Sequence, residues 1–328
     1  MLRQNFSTLE QYGMATPDNP IELVVHTPAD RAQLGIASCR VRTTRLPGNS
    51  YLRLLPTRYG GSGLPPSEQC RLFVESVPLV IASQAGMLAD LVRAGRLDRK
   101  VAILKLAALA CEFCGTYSRD ASNPQDGELL YDRPAIATAT DIQVYLRSLC
   151  HSKGVELART ASRLARDGLA SPMELLVYAA LGFPPRFGGI HVGDLKINEP
   201  LALDEELQKK LGIHRITPDI RVGGHPVALE YNGVEHLEKY RVRQDKMRSQ
   251  MYALLDVAHF PMMIEDVCTP AALDRTLRSI VDLLTPYEGP AFRKRVQQIM
   301  RDEAYIQARA TLLGVYLPGG VLVAGNGP

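Results

Sequence analysis

The stretch TPDIRVGGHPVALEY (Thr217–Tyr231) predicts a β-hairpin that carries two acidic side chains. RITPDIRV and HPVALEY are two candidate strands joined by Gly223 and Gly224, and a two-residue Gly-Gly connection is typical of a type I′ turn. Asp219 precedes the turn and Glu230 follows it. The stretch therefore predicts a piece of β-sheet and the place of two carboxylates on it.

The predicted turn also sets the register of the hairpin. It places Val222 opposite His225 and Asp219 opposite Ala228. Because cross-strand partners share a face and side chains alternate along a strand, Asp219 and Glu230 should lie on one face. The other face should belong to an apolar core and is formed by Ile220, Val227 and Leu229.

Two carboxylates on one face repel each other unless a positive charge lies between them. As diagonal neighbours, Asp219 and Glu230 would be roughly 7–8 Å apart at the backbone and closer at the carboxylates. A divalent cation such as Mg²⁺ would offset the repulsion, since hard cations prefer oxygen ligands. The alternative is an exposed strand face that carries two acids by chance.

Polar side chains continue after the hairpin. Asn232 and Gly233 indicate a turn, and His236 follows it. One face of the next predicted helix carries four residues at helical spacing, namely Arg241, Asp245, Arg248 and Tyr252. This face either belongs to a site or is a solvated surface with an Arg241–Asp245 ion pair.

A third carboxylate begins an earlier predicted helix. In SPMELLVYAALG, Ser171 is the expected N-cap and Pro172 the first helical residue. Glu174 then occupies the position that completes a capping box. Glu174 therefore has a structural explanation beside a functional one.

A basic stripe is predicted just before that helix. GVELARTASRLARDG should be helical up to Gly168, which would place Arg159, Arg163 and Arg166 on one face. The plainer interpretation is a solvated basic face, and the alternative is a stripe that contacts phosphates. Arg241 and Lys246 are further candidates for nucleic-acid contacts.

Composition places the chain among soluble globular proteins of about two domains. It has 328 residues, 46% of them hydrophobic and 22% charged, with a net charge of +3, so any nucleic-acid surface would be a local patch. We expect a cytoplasmic protein, since MLRQNFSTLEQYG lacks the apolar core of a signal peptide and VAILKLAALA is too short to span a membrane. Cys111 and Cys114 should be buried, reduced thiols.

The pattern of elements predicts three regions. Residues 1–135 should form an α+β region of unassigned role, with strands in IELVVHT, ASCRVRTTRL and YLRLLP. Its first helix is expected from Ser83 as N-cap to Gly95 as C-cap. The polar segment 118–133 separates this region from a second domain at 136–290, and 291–328 should be a C-terminal helix with an apolar tail.

Several of these residues together resemble the PD-(D/E)xK nuclease superfamily, in particular the branch typified by very-short-patch repair endonucleases and their small bacterial relatives. The residues that carry the resemblance are Pro218-Asp219, Glu230-Tyr231-Asn232-Gly233, His236, Asp245 and Arg248. The resemblance covers about residues 171–264, and Glu174 looks like the extra acid that such folds often contribute. Asn232 stands where most of the superfamily has Lys. The repair branch uses His in place of that Lys, and His236 is similarly placed.

The resemblance implies a restriction-endonuclease-like domain, in which a central mixed sheet is flanked by helices. It also implies Mg²⁺ or Mn²⁺ held by Asp219, Glu230, Glu174 and the carbonyl of Tyr231. His236 would accept a proton from water, with Lys239 or Lys246 as substitutes for the missing Lys. Supporting roles fall to Asn232, Asp245 and Arg248.

Two functions follow as expectations. The first is a metal-dependent endonuclease of defence or repair type that hydrolyses DNA phosphodiester bonds, alone, as a homodimer or with a partner protein. The alternative is a catalytically inactive, DNA-binding, antitoxin-like regulatory protein on the same fold. In a third and weaker interpretation, the acids merely solvate a surface.

Overall fold

The computed structural model describes residues 21–25, 27–31, 37–42, 45–53, 73–120, 123, 127–150, 152–233 and 239–317. Of these, residues 21–23, 30, 37, 40, 53, 73, 210–211 and 239–246 are described by backbone alone. Contacts divide the chain into two units. The first contains the described residues up to Val80 together with Ser148–Ser152, and the second contains Ile81–Arg147 and the residues from Lys153 onward. The segment 118–133, where we expected a boundary, lies inside the second unit.

The first unit contains two small pairs of strands, which confirms the three predicted strand segments. Strand β1 (Ile21–Val25) pairs in parallel with β2 (Ala37–Val41). Strand β3 (Tyr51–Arg53) pairs antiparallel with β4 (Phe73–Glu75). The Arg42 guanidinium lies 3.0 Å from the Glu75 carboxylate.

Helix α1 (Val77–Arg93) begins earlier than predicted. Pro78 lies in its first turn, where the missing N–H costs little, and Val77 and Ile81 are buried, so the apolar run before Ser83 is helical. Ser83 is therefore inside the helix and is not its N-cap. Gly95 follows the helix in the left-handed conformation, as expected of a C-cap glycine.

Helix α2 (Arg99–Cys114) begins at Asp98, whose carboxylate accepts hydrogen bonds from the backbone N–H groups of Lys100 and Val101. Cys111 and Cys114 are fully buried on this helix, as predicted. Burial raises the pKa of the Cys111 thiol to about 12, so this sulfur is a protonated core group.

A short β-ribbon and three helices lead to the central sheet. The ribbon pairs β5 (Ser118–Arg119) with β6 (Leu129–Leu130). The helices are α3 (Ala139–Ser148), α4 (Val155–Ser162) and α5 (Pro172–Gly182). The prediction of one basic helix face at Arg159, Arg163 and Arg166 is wrong, because α4 ends at Ser162. Beyond it the chain turns to bury Leu164, Ala165 and Leu169.

The central sheet has four strands within the described residues. Its members and neighbours in chain order are β7 (Leu195–Ile197), β8 (Leu201–Ala202), α6 (Glu205–Leu211), β9 (Arg215–Ile216), β10 (Ile220–Val222), β11 (Val227–Tyr231), α7 (Lys239–Leu254) and β12 (Ala258–Met262). The sheet order is β12-β11-β10-β7, while β8 and β9 form a separate ribbon. Only the β11–β12 pair is parallel, so the sheet is mixed, as predicted. Pro261 lies on β12, an edge strand, where its missing N–H is tolerated.

The hairpin has the predicted faces but not the predicted register. Ile220 pairs with Leu229, and Arg221 pairs with Ala228, a shift of two residues from the expected pairing. The connection is longer than two residues, since extending the observed register sets Val222 opposite Val227 and leaves four residues between them. Because the shift is even, every side chain keeps its predicted face.

The chain closes with a short helix and three longer ones within the described residues. These are α8 (Ile264–Val267), α9 (Pro270–Glu288), α10 (Pro290–Arg301) and α11 (Glu303–Tyr316). A single helix was expected over the last two. Asp302 divides them because its backbone is extended and its carboxylate caps α11 at the Ala304 N–H. The apolar tail from residue 318 lies outside the described residues.

The core of the second unit joins segments far apart in sequence. The Tyr316 hydroxyl on α11 donates to the Leu104 carbonyl on α2 at 3.0 Å. Arg309 is buried on α11 and forms an ion pair with Asp274 on α9. In the part of the chain that is described, every helix is too short or too polar to cross a bilayer.

Candidate acid cluster at the end of the sheet

Three predicted acids converge at one end of the central sheet. Glu174 lies in the first turn of α5, Asp219 directly precedes β10, and Glu230 lies on β11. Extending the observed register by one residue sets Asp219 directly opposite Glu230. Asn198 donates both to the Glu174 carboxylate and to the Asp219 backbone carbonyl, so the three acids lie near one another.

Glu174 does not close the capping box that the sequence suggested. Ser171 accepts a hydrogen bond from the Glu174 N–H at 3.0 Å, which confirms the N-cap. The Glu174 carboxylate instead accepts hydrogen bonds from the Ala170 N–H and the Asn198 side-chain amide, each at 2.8 Å on Oε2. Burial raises the pKa of Glu174, while these hydrogen bonds oppose the increase.

Asn198 connects two of the acids and was not anticipated from the sequence. Its amide donates to Glu174 and to the Gly168 carbonyl, and its backbone N–H donates to the Asp219 carbonyl at 3.0 Å. Its left-handed backbone conformation, with φ of 48°, is one that Asn tolerates better than most residues. Asn198 therefore fixes the spacing between Glu174 and Asp219.

Within the described residues, Asp219 has the fewest hydrogen bonds to its carboxylate among the three acids. One oxygen, Oδ2, accepts a hydrogen bond from the Tyr231 N–H at 2.8 Å. Burial, followed by the charges of Glu174 and Glu230, raises the pKa of Asp219 to about 7, against the lowering effects of that N–H and of Arg248. Near neutral pH this site therefore favours a proton or another positive charge.

Glu230 is enclosed by three partners and is only 2% exposed. Its Oε1 accepts from the Tyr252 hydroxyl at 2.6 Å and lies 2.8 Å from Arg248 Nη2. Its Oε2 lies 3.1 Å from His259 Nε2. Both carboxylate oxygens are thus occupied, and Arg248 compensates the charge.

Helix α7 supplies two of those partners. Arg248 and Tyr252 both contact Glu230, which confirms that these two positions share the helix face predicted from the sequence. The Arg248 guanidinium also donates to the Thr217 carbonyl at 2.7 Å, and its side chain remains 41% exposed. Arg248 therefore contacts Glu230 inside the cluster while part of its side chain is exposed to solvent.

His259 is the site residue that sequence reasoning missed. Its ring stacks on Tyr252 with centroids 4.7 Å apart, and its Nδ1 lies 3.1 Å from Ser249 Oγ. The run FPMMIE predicts a strand that begins at Phe260, but β12 begins two residues earlier, at Ala258. His259 pairs with Ala228, and Ala228 and Glu230 lie on the same face of β11, so His259 shares that face. The alternation of side chains along β12 is the sequence feature that could have identified it.

Several predicted residues lie outside the described parts. His236 is among residues 234–238, and the side chains of Lys239, Arg241, Asp245 and Lys246 belong to the stretch described by backbone alone. Asn232 is described, and its N–H donates to the Met262 carbonyl at 2.7 Å, so it continues the pairing of β11 with β12.

The three predicted arginines have different surroundings. Arg159 contacts Glu156 at 2.6 Å and the Leu146 carbonyl at 3.1 Å, which are local structural roles. Arg163 and Arg166 lie beyond the helix and line a polar cleft.

The cluster offers one oxygen that could hold a cation. Oδ1 of Asp219 accepts no hydrogen bond from any described residue, whereas the Glu174 carboxylate also interacts with the Ser171 side chain. Across the described ranges, no group of three or more His, Cys, Asp or Glu side chains is arranged to hold a metal ion. Comparison of the chain with protein-family models, curated proteins and solved structures gives no match.

Proposed function

We propose that this chain is a metal-dependent, endonuclease-like protein that hydrolyses DNA phosphodiester bonds in defence or repair. The observation that carries the proposal is Asp219, a partly buried carboxyl beside two further acids and with a pKa raised to about 7. Buried, like-charged acids with strongly shifted pKa values are typical of functional sites. A bound cation would remove the repulsion among them.

The residues present fit Mg²⁺ or Mn²⁺. Mg²⁺ usually keeps several waters and binds through one or two protein carboxylates together with substrate phosphates. Asp219 and Glu174 supply two such carboxylates, Asp219 with one oxygen open, and the carbonyl of Tyr231 belongs to the expected set. Glu230 could join only by releasing Arg248, Tyr252 or His259. When bound, such a metal stabilises negative charge on a phosphate and lowers the pKa of water.

The remaining residues of the cluster have separate tasks in this proposal. Asn198 holds Glu174 in place, and Glu230 holds Arg248 by a short ion pair. The exposed part of Arg248 can donate to a phosphate oxygen. Both ring nitrogens of His259 already have partners, Ser249 and Glu230, so His259 positions Glu230 and has no nitrogen left to accept a proton from water. His236 therefore remains the expected proton acceptor.

Nicking of supercoiled plasmid DNA with and without Mg²⁺ or Mn²⁺ tests this proposal. We expect metal-dependent nicking that falls by more than about 100-fold in Asp219→Asn and in Glu174→Gln, since even outer-shell changes at metal sites cost 10–100-fold. Calorimetric titration with Mn²⁺ should show the matching loss of metal binding.

Matched controls are Asp256→Asn and Glu303→Gln, which remove the same groups at exposed positions. Both controls should nick DNA and bind Mn²⁺ as the unchanged protein does. Undiminished nicking by Asp219→Asn and Glu174→Gln, or no nicking by the unchanged protein at any metal concentration, would contradict the endonuclease proposal.

Two observations favour the second candidate, a catalytically inactive DNA-binding or antitoxin-like regulatory protein. Both oxygens of Glu230 are occupied by Arg248, Tyr252 and His259, and Asn232 replaces the usual Lys. In that case DNA binding should be sensitive to salt, survive Asp219→Asn and lead to no cleavage.

A further inference from the structure

A polar cleft of about 490 Å³ lies beside β7, the edge strand opposite β12 in the central sheet. Three of the residues that line it are basic, namely Arg163, Arg166 and Lys196, and two are acidic, namely Asp167 and Glu199. Other lining groups, including the Gln143 amide and the Tyr178 hydroxyl, can form hydrogen bonds. The cleft thus has a small excess of positive charge among neutral polar groups.

The acids of the cleft are engaged by groups other than its arginines. Asp167 accepts a hydrogen bond from the Ala139 N–H at 2.7 Å, at the start of α3. Glu199 lies 3.9 Å from Arg221 on the neighbouring strand. Among the residues that the structure describes, neither Arg163 nor Arg166 is paired with a carboxylate. The positive charge is therefore available to a ligand.

The basic groups themselves are held at defined places. Arg166 donates to the Leu195 carbonyl of β7, and Arg163 donates to the Thr160 hydroxyl at 3.3 Å. Lys196 lies 3.3 Å from Asp194, and its side chain is partly exposed. Each of the three cations keeps further N–H groups for an incoming anion.

The cleft adjoins the acid cluster through Asn198. Asp167 and Ile197 line the cleft. The residues that follow them in sequence, Gly168 and Asn198, are joined by a hydrogen bond from the Asn198 side-chain amide to the Gly168 carbonyl. Lys196 lies on β7 and Asn198 directly follows the last residue of that strand, so they are about 7 Å apart at 3.2–3.4 Å per residue. Two nucleotides of one DNA strand rise by about the same amount, at 3.4 Å each.

We propose that this cleft binds backbone phosphates of the DNA strand that reaches the acid cluster, with Arg163, Arg166 and Lys196 as the phosphate contacts. This inference rests on the proposed function and adds to it the surface that positions the DNA. The contacts would carry no sequence preference, since they involve phosphates alone. Their strength should fall as salt concentration rises.

Fluorescence anisotropy with a labelled DNA duplex of about 20 base pairs tests the inference, using the full chain without divalent metal so that no hydrolysis occurs. The test variant combines Arg163→Gln with Lys196→Gln, while Arg166 is left unchanged because it also bonds the backbone of β7. The control variant combines Lys105→Gln with Arg301→Gln, which removes the same two charges at exposed positions outside the cleft. Thermal unfolding by circular dichroism checks that both variants fold.

We expect the cleft variant to bind DNA about tenfold more weakly, and the slope of log affinity against log salt to fall by about two. Each single substitution should lower the slope by about one. The control variant should stay within about twofold of the unchanged protein. Cleft and control variants that bind equally well would overturn the phosphate cleft while metal-dependent nicking still stands. Absence of DNA binding by the unchanged protein would also overturn it, and the nicking assay then shows whether the endonuclease proposal falls too.

Discussion

Asp219 shows how burial and two nearby acids change the titration of a third carboxyl group. Its pKa is raised from an ordinary 3.8 to about 7, first by burial and then by Glu174 and Glu230. The folded protein therefore holds a proton on Asp219 at pH values where the unfolded chain has released it. The stability that this proton confers is fully present below about pH 4 and is lost as pH rises through about 7.

Replacing Asp219 by Asn should therefore flatten the pH dependence of stability. The free energy of unfolding of the unchanged protein should fall more between about pH 5 and about pH 8 than that of Asp219→Asn, since the amide never ionises. Urea titrations at the two pH values measure this difference. Asp256→Asn, an exposed control, should keep the original dependence. Parallel pH profiles for Asp219→Asn and the unchanged protein would show that Asp219 ionises normally.

At the scale of elements, the hairpin depends on one of its two glycines. Gly223 has a φ of 53°, in the left-handed region, whereas Gly224 lies outside that region. A Cβ at Gly224 would meet no atom within 4 Å, but one at Gly223 would lie 3.4 Å from the Asp194 carboxylate. The longer turn, which sets Asp219 opposite Glu230, thus needs glycine at its first position.

Alanine should consequently have opposite effects at the two neighbouring glycines. Gly223→Ala should destabilise the protein by roughly 1–2 kcal/mol through left-handed strain. Gly224→Ala should be neutral or stabilise by up to about 1 kcal/mol, because alanine restricts the unfolded chain. Chemical denaturation of the two variants gives both values. Equal losses in both variants would mean that the turn has the two-residue geometry predicted from the sequence.

At the scale of the whole second unit, stability rests on contacts between distant helices. The Tyr316 hydroxyl on α11 is buried against the Leu104 carbonyl of α2, 212 positions away in sequence. Phe183 packs edge-on against Tyr316, with ring centroids 6.3 Å apart. The C-terminal helix is therefore part of the same core as α2 and α5.

Tyr316→Phe isolates the hydrogen bond from the packing of the ring. We expect a loss of about 1 kcal/mol in the free energy of unfolding, the usual net value of one buried hydrogen bond. Tyr287→Phe is the matched control, because Tyr287 is 46% exposed and should lose almost nothing. A loss in Tyr316→Phe no greater than in the control would show that the hydroxyl adds nothing to this helix contact.

Local patterns in the sequence predicted most of the elements that build the site. Ser171 caps α5, as expected from the residues that follow it, and the hairpin faces follow from the period of two. The start of α1 and the break at Asp302 were missed. Helix α1 begins before Ser83, because the apolar residues that precede this serine are also helical. At Asp302 the helical sequence pattern continues, but the carboxylate caps a new helix and so ends the previous one.

The sequence by itself determined that Asp219 and Glu230 share a face, because alternation along a strand survives any even change of register. Only the tertiary structure decided what surrounds them. Tyr252 and His259 reach Glu230 from positions 22 and 29 residues away, and Asn198 reaches Glu174 from 24 away. Such contacts depend on how helices and strands pack together, and no local period in the sequence encodes that packing.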